Sequence, residues 1–253
     1  MKTICYVDGY NLYYGCLKNT AYKWLDLQQL FAQLLHQQNP DTEIVAIKFF
    51  TAPVITKFAT HGDLAQSSQQ RYHHALETLY PDSIHIINGY YNAAKNNAMY
   101  YLKPPSKTQR VEVWNLEEKQ TDVNIALTAY RDAVKEHAEQ FVFVTNDTDQ
   151  EPTLKLIRDD FADRVKIGVV LPIKENTSDT KSRPGNQKLS QYADWTRKHI
   201  KAEELASSQL PQRITTHKKP IVKPAKTDNS IFKWNVPLLL IATPPLKPIA
   251  IIK

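Results

Sequence analysis

Glycine, cysteine and long apolar runs are all scarce in this chain of 253 residues. Six glycines, at positions 9, 15, 62, 89, 168 and 185, cannot form G-x-G-x-x-G or a P-loop, so those phosphate-cradling signatures are excluded. Two cysteines, Cys5 and Cys16, are too few for a disulfide framework and fit a reducing, cytoplasmic setting. No uninterrupted apolar run approaches the roughly 18 residues a membrane helix needs. Met1-Lys2-Thr3-Ile4-Cys5 leads directly into a strand without the apolar region of a signal peptide, so no membrane role is expected. Zinc-type His and Cys spacing is missing as well. Asp147-x-Asp149 opens like a calcium loop, but Pro152 stands where that loop requires glycine. Net charge is lacking where it would matter most: residues 1–200 hold 23 Lys and Arg against 23 Asp and Glu. The whole formal charge of +6 comes from residues 201–253, with 9 against 3. Basicity therefore says nothing about the first 200 residues.

What is present is an alternation of short apolar runs with helix-period segments. Ile4 to Val7, Ile44 to Phe50, Ile84 to Ile87, Phe141 to Thr145 and Val165 to Leu171 read as buried strands. Leu27, Leu30, Phe31, Leu34 and Leu35 make one face of a helix after the cap candidate Asp26. Further helices are expected over 63–80, from about Thr121 to Glu139, over 150–162 and around 188–205. In the second of these, Val123, Ala126, Leu127, Tyr130 and Val134 share a side. Strands alternating with helices predict an α/β domain, with a mostly parallel sheet of about five strands covered on both faces. Residues 90–116 interrupt the rhythm with Tyr90, Tyr91, Tyr100, Tyr101 and Trp114 among Lys95, Lys103, Lys107 and Arg110, and read as a hairpin or flap. From residue 206 to 253 the pattern gives way to a Pro-rich basic tail.

In such a sheet, ligands bind beyond the carboxyl ends of the strands. Asp8, with Gly9 and Asn11, follows the first strand. Thr145-Asn146-Asp147-Thr148-Asp149 follows the fourth. Asp122 opens the helix leading into it, just after Glu117 and Glu118. Asp8 alone could be a turn or cap residue, and Asp122 alone a dipole partner, but generic turn chemistry does not gather all of them at one edge. Two carboxylates about 4 Å apart repel by roughly 4 kcal/mol at an effective dielectric near 20. A cluster therefore calls for raised pKa values or a divalent cation, and oxygen-only ligands select Mg²⁺ or Mn²⁺.

The blocks Tyr6-Val7-Asp8-Gly9-Tyr10-Asn11-Leu12, Glu117-Glu118-Lys119-Gln120-Thr121-Asp122-Val123 and Val144-Thr145-Asn146-Asp147-Thr148-Asp149 resemble the three motifs of the NYN domain (LabA-like), of the PIN-like nuclease superfamily. Lys188-Leu189-Ser190 to Ala193-Asp194 is similar to the motif that closes many such domains. The resemblance covers about residues 2–200. It implies a three-layer, Rossmann-like domain over residues 1–205 and a ribonuclease hydrolysing phosphodiester bonds with Mg²⁺ or Mn²⁺. Asp8, Asp122, Asp147 and Asp149 would bind metal, and Asn11 would orient the metal shell or a phosphate. Thr145 would offer a hydroxyl beside them. Glu118 is either a further ligand or a charge paired with Lys119 at the helix start. Single-stranded RNA is the expected partner, with Tyr91, Lys95, Lys119 and Arg71 as candidate contacts. The tyrosines could equally pack the hairpin, and Arg71, His73 and His74 could equally form a solvated helix face. Pairing of two copies is also implied by the superfamily. A non-catalytic RNA-binding or regulatory module and a small-molecule phosphatase are the alternatives.

Overall fold

The computed structural model describes residues 1–162, 164–175, 185 and 187–224. Strand β1 (Lys2–Asp8) lies at the centre because both of its faces are apolar. Cys5 and Val7 join one layer of core, while Ile4 and Tyr6 join the other. The chain then forms α1 (Gly9–Leu12), a π-helical turn (Tyr13–Leu17), α2 (Leu27–Gln38), β2 (Glu43–Thr51), a 3₁₀ turn (Thr56–Phe58), α3 (Gly62–Leu79) and β3 (Ile84–Asn88). A hairpin of β4 (Tyr90–Met99) and β5 (Arg110–Lys119) follows, then α4 (Thr121–Val134), β6 (Gln140–Val144), a 3₁₀ turn (Thr148–Gln150), α5 (Glu151–Phe161) and β7 (Lys166–Val170). The last elements are α6 (Gln187–Ser190), β8 (Trp195–Arg197), α7 (Ala202–Ser207), β9 (Arg213–Ile214) and β10 (Ile221–Val222).

The central sheet has six strands in the order β3-β2-β1-β6-β7-β8, and every neighbouring pair is parallel. Helices α2, α3 and α7 supply the core on one face, and α4, α5 and α6 the core on the other. The α/β architecture expected from the alternation is thus present, with one strand more than the five anticipated. That sixth strand, β8, lies inside residues expected to be helical: 188–205 are instead two short helices flanking Trp195–Arg197. Gly168 lets this strand approach, because a Cβ there would come within 2.2 Å of the Trp195 ring.

Helix α4 turns a different face inward from the one its apolar residues suggest. Thr121, Ile125, Ala129, Asp132 and Ala133 are buried, whereas Val123, Leu127 and Val134 are 58%, 66% and 56% exposed. Asp132 is held on the sheet-facing side by three partners. It accepts from the Tyr6 hydroxyl at 2.8 Å, pairs with Lys48, and contacts His137 Nδ1 at 3.0 Å. Residues 206–224 also differ from the expected tail. Leu210, Ile214 and Ile221 are buried in the same core as α2, and the Trp24 indole donates to the Pro211 carbonyl at 3.0 Å. The apolar patches at 236–242 and 249–252 lie outside the described residues. Among the described residues, no helix is long and apolar enough to cross a membrane.

Two features aim the fold at one place. The strand order reverses between β1 and β6, which opens a crevice beyond their carboxyl ends. The β4–β5 hairpin leaves β3 and re-enters at α4, so its base, where Tyr90 and Tyr91 pair with Lys119 and Glu118, sits at that same edge.

Candidate active site

Asp8 ends β1 and caps α1, and it is only 3% exposed. Its Oδ1 accepts from the Asn11 backbone N–H at 2.9 Å. Its Oδ2 accepts from Asn11 Nδ2 at 2.6 Å and from the Thr145 hydroxyl at 3.1 Å. Asn11 Oδ1 accepts in turn from the Asn146 backbone at 3.2 Å, so one side chain ties the ends of β1 and β6 together. Burial pushes the Asp8 carboxyl up to about 7. The Asn11 backbone donor opposes that rise, and the charge of Asp122 adds to it.

The other acids surround this centre without forming a cage. Asp122, in the first turn of α4, accepts from Gln150 Nε2 at 3.1 Å, and the same amide donates to its backbone carbonyl at 3.2 Å. Burial raises the Asp122 carboxyl, Gln150 lowers it, and Asp147, Glu118 and Asp149 raise it further. Asp147 Oδ1 accepts from the Asp149 backbone at 3.0 Å, and Asp149 itself is exposed. Glu118 accepts from the Thr121 hydroxyl and from its backbone N–H at 3.3 Å, closing the turn into α4. Gly89 makes room for this closure, since a Cβ there would lie 2.4 Å from the Lys119 carbonyl and 2.7 Å from Glu118 Oε1.

Three tyrosines lie near these acids. Tyr10 and Tyr14 pack against each other with ring centroids 4.4 Å apart and their planes tilted by 33°. The turn carrying Tyr14 is pressed onto the loop after β7, where a Cβ on Gly15 would fall 1.6 Å from the Pro172 carbonyl oxygen. Tyr91 stands opposite Glu118 on the hairpin, with its hydroxyl buried and lacking a hydrogen-bond partner among the described residues. It lies within electrostatic reach of Tyr10, Tyr14, Glu118 and Asp8.

The structure therefore brings together Asp8, Asn11, Thr145, Asp122, Asp147, Asp149, Glu118 and Tyr91. Three expected contacts stand apart. Arg71 lines a groove with His74 and residues 216–222, on the flank formed by α3 and β10. Lys95 pairs with Glu112 far along the hairpin, and Lys119 pairs with Glu117 on its exposed face. Asp194, from the closing motif, holds Arg158 at 2.6 Å and accepts from the Ile167 backbone at 2.6 Å, a tie between α5 and β7. Sequence reasoning missed Tyr10, Tyr14 and Gln150. The i, i+4 spacing of the two tyrosines directly after a strand end was the available signal for the pair. Gln150 had none, because its role depends on the fold bringing the 3₁₀ turn after β6 against α4.

No group of three or more His, Cys, Asp or Glu side chains among the described residues could hold a metal ion. Asp8, Asp122, Asp147 and Glu118 each accept from protein donors, as caps and ties. These acids also sit on the helix starts at this edge, where a nucleotide-binding fold offers bare amides to phosphate.

No family profile matches the chain. It is 41% identical over 241 residues to a protein from Pseudomonas putida (strain DSM 28022 / S16) named 6-hydroxy-3-succinoylpyridine 3-monooxygenase HspA, covering 88% of this chain and 74% of that one. Among solved structures it matches a protein of unknown function from Vibrio parahaemolyticus RIMD 2210633, with 18% identity and a TM-score of 0.44 over 80% of this chain and 94% of that chain. The first of these relatives corrects the expected function. A monooxygenase is an oxidoreductase, so the metal-dependent ribonuclease, its phosphatase alternative and the expected Mg²⁺ or Mn²⁺ cofactor are overturned.

Proposed function

The chain belongs to the family of 6-hydroxy-3-succinoylpyridine 3-monooxygenase HspA, and we propose that it inserts one oxygen atom into a hydroxylated pyridine ring held at the carboxyl edge of its sheet. The observation that carries this is the 41% identity along 88% of the chain, joined to a buried carboxyl with a near-neutral pKa at the topological switch point.

Monooxygenation consumes O₂ and two electrons, which implies a redox group. The residues at this edge do not fit a dinucleotide: the sequence has no glycine-rich cradle, and Asp8, Asp122 and Glu118 occupy the helix starts where a pyrophosphate would sit. What the chain's own residues supply is proton chemistry and placement. On a ring numbered as in the relative's name, carbon 3 lies para to the 6-hydroxyl. Removing the hydroxyl proton raises electron density at that carbon and favours its attack by an electrophilic oxygen. Because the carbon already bears the succinoyl group, the ring is restored by breaking the C3–acyl bond, the acyl group passing to water as a carboxylic acid and the new oxygen staying on the ring as a hydroxyl. Asp8 is suited to accept that proton, because burial brings its pKa close to neutrality. Asn11 and Thr145 hold its Oδ2 in place, and Tyr10, backed by Tyr14, is the aromatic side chain suited to pack against the heteroaromatic. The likeness of the three acidic blocks to the NYN domain then belongs to the fold, with the carboxylates turned from metal binding to proton transfer.

The test is incubation of the purified protein with 6-hydroxy-3-succinoylpyridine under ¹⁸O₂, with reduced nicotinamide plus added flavin in one arm and ascorbate in another. A product carrying one ¹⁸O is expected in wild type and not in Asp8→Asn. Unchanged substrate with every reductant would overturn the proposal.

A further inference from the structure

A buried hydroxyl without a partner forfeits on the order of 1–3 kcal/mol, so such groups in folded proteins point to a missing neighbour. Tyr91 Oη is one of these, and its position is not incidental. It stands at the base of the β4–β5 hairpin, opposite Glu118, in a register held by the backbone ladder from Tyr90–Lys119 to Met99–Arg110. Glu118 is itself closed onto Thr121, and the absence of a Cβ at Gly89 lets the hairpin base pack closely against that turn. The hydroxyl is thus buried within electrostatic reach of Tyr10, Tyr14, Glu118 and Asp8.

We infer that Tyr91 Oη is a substrate-binding group that donates a hydrogen bond to the ring oxygen of a hydroxypyridine, and so selects hydroxylated rings over unsubstituted ones. The inference deepens, and rests on, the hydroxypyridine chemistry proposed above. A donor is the useful element in a site whose other polar groups are mostly carboxylates. Burial, followed by the nearby Tyr10, Tyr14, Glu118 and Asp8, raises the Tyr91 phenol well above its ordinary range, so it remains a donor across the working pH. Once Asp8 has taken the ring hydroxyl's proton, the ring oxyanion lies between two donors, the new Asp8 O–H and the Tyr91 O–H. Charge is conserved in this transfer: the carboxylate's negative charge moves to the ring oxygen. A site built to hydrogen-bond such an oxygen rejects the analogue lacking it far more strongly than an apolar pocket rejects an extra atom.

The experiment is calorimetric titration, without reductant, of wild type, Tyr91→Phe and Tyr90→Phe with 6-hydroxy-3-succinoylpyridine and with 3-succinoylpyridine. Wild type should prefer the hydroxylated ligand about tenfold or more. Tyr91→Phe should lose that preference, with weaker binding of the hydroxylated ligand and unchanged binding of the other. Its unliganded melting temperature should be equal to or above wild type, because the hydroxyl removed has no partner to leave behind. Tyr90→Phe, across the pleat and half exposed, should behave as wild type. Retention of the preference in Tyr91→Phe, or a marked fall in its melting temperature, would overturn the role of Tyr91 alone. Failure of wild type to bind either pyridine would instead overturn the substrate class and the inference with it.

Discussion

Asp8 shows how one residue can trade stability for chemistry. Its folded pKa of about 7 lies above the roughly 3.9 of an unfolded aspartate. Between these values the folded state holds a proton that the unfolded state has released, so this residue's contribution to stability falls as pH rises from about 4 to 7. Asp8→Asn removes the penalty, and its melting temperature should exceed that of wild type at pH 8 while the two converge near pH 4. Thermal scans at both pH values check this. Turnover should move the opposite way, rising as pH increases through about 7 in wild type because only the carboxylate accepts a proton. A pH–rate profile flat across that interval would remove Asp8 from the role of base.

At the scale of elements, α4 carries two apolar faces, and burial chooses between them. The stripe of Val123, Leu127, Tyr130 and Val134 is legible in the sequence, yet the inward face is set by Ile125, Ala129 and Asp132. Leu127→Lys should accordingly change stability by no more than about 0.5 kcal/mol. Asp132→Asn leaves Lys48 without its charge partner against the Tyr6 hydroxyl, and should cost about 3 kcal/mol in denaturant unfolding. The Asp132 carboxyl is held low: burial opposes the shift, but Lys48, Tyr6 and His137 prevail. Its contribution is therefore present above about pH 4 and lost as the pH falls through its depressed folded pKa. The caps at Asp8 and Asp26 were legible because each is an oxygen-bearing side chain placed directly before a helical segment. The fate of 188–205 was not, since β8 exists only by pairing with β7.

Across the whole molecule, the core extends beyond the Pro-rich boundary near residue 206. Leu210, Ile214 and Ile221 close the layer formed by α2 and α3, and Gln209 Nε2 donates to the Leu205 carbonyl at 2.7 Å. Truncation after Ser207 should lower the melting temperature by several degrees or abolish soluble expression, and Leu210→Ala alone should cost about 2–4 kcal/mol. Scanning calorimetry of the two variants checks both. The net charge of the C-terminal stretch had suggested a detached basic appendage, but composition cannot register that its few large apolar residues have a vacant core surface to fill.

By itself the sequence determined the α/β alternation, the parallel sheet and the gathering of Asp8, Asn11, Asp122, Thr145 and Asp147 at one edge, because strand periodicity and crossover handedness act locally and repeat. The tertiary structure decided what those carboxylates can do. Whether several acids at one edge hold a cation or each serves as a cap, a tie or a base depends on which donors reach them, and those donors come from distant segments: Thr145 to Asp8, Gln150 to Asp122, with Tyr91 beside them carrying an unspent hydroxyl. Spacing along the chain conveys which residues meet, whereas desolvation and hydrogen bonding, which set their protonation, exist only once the fold has closed around them.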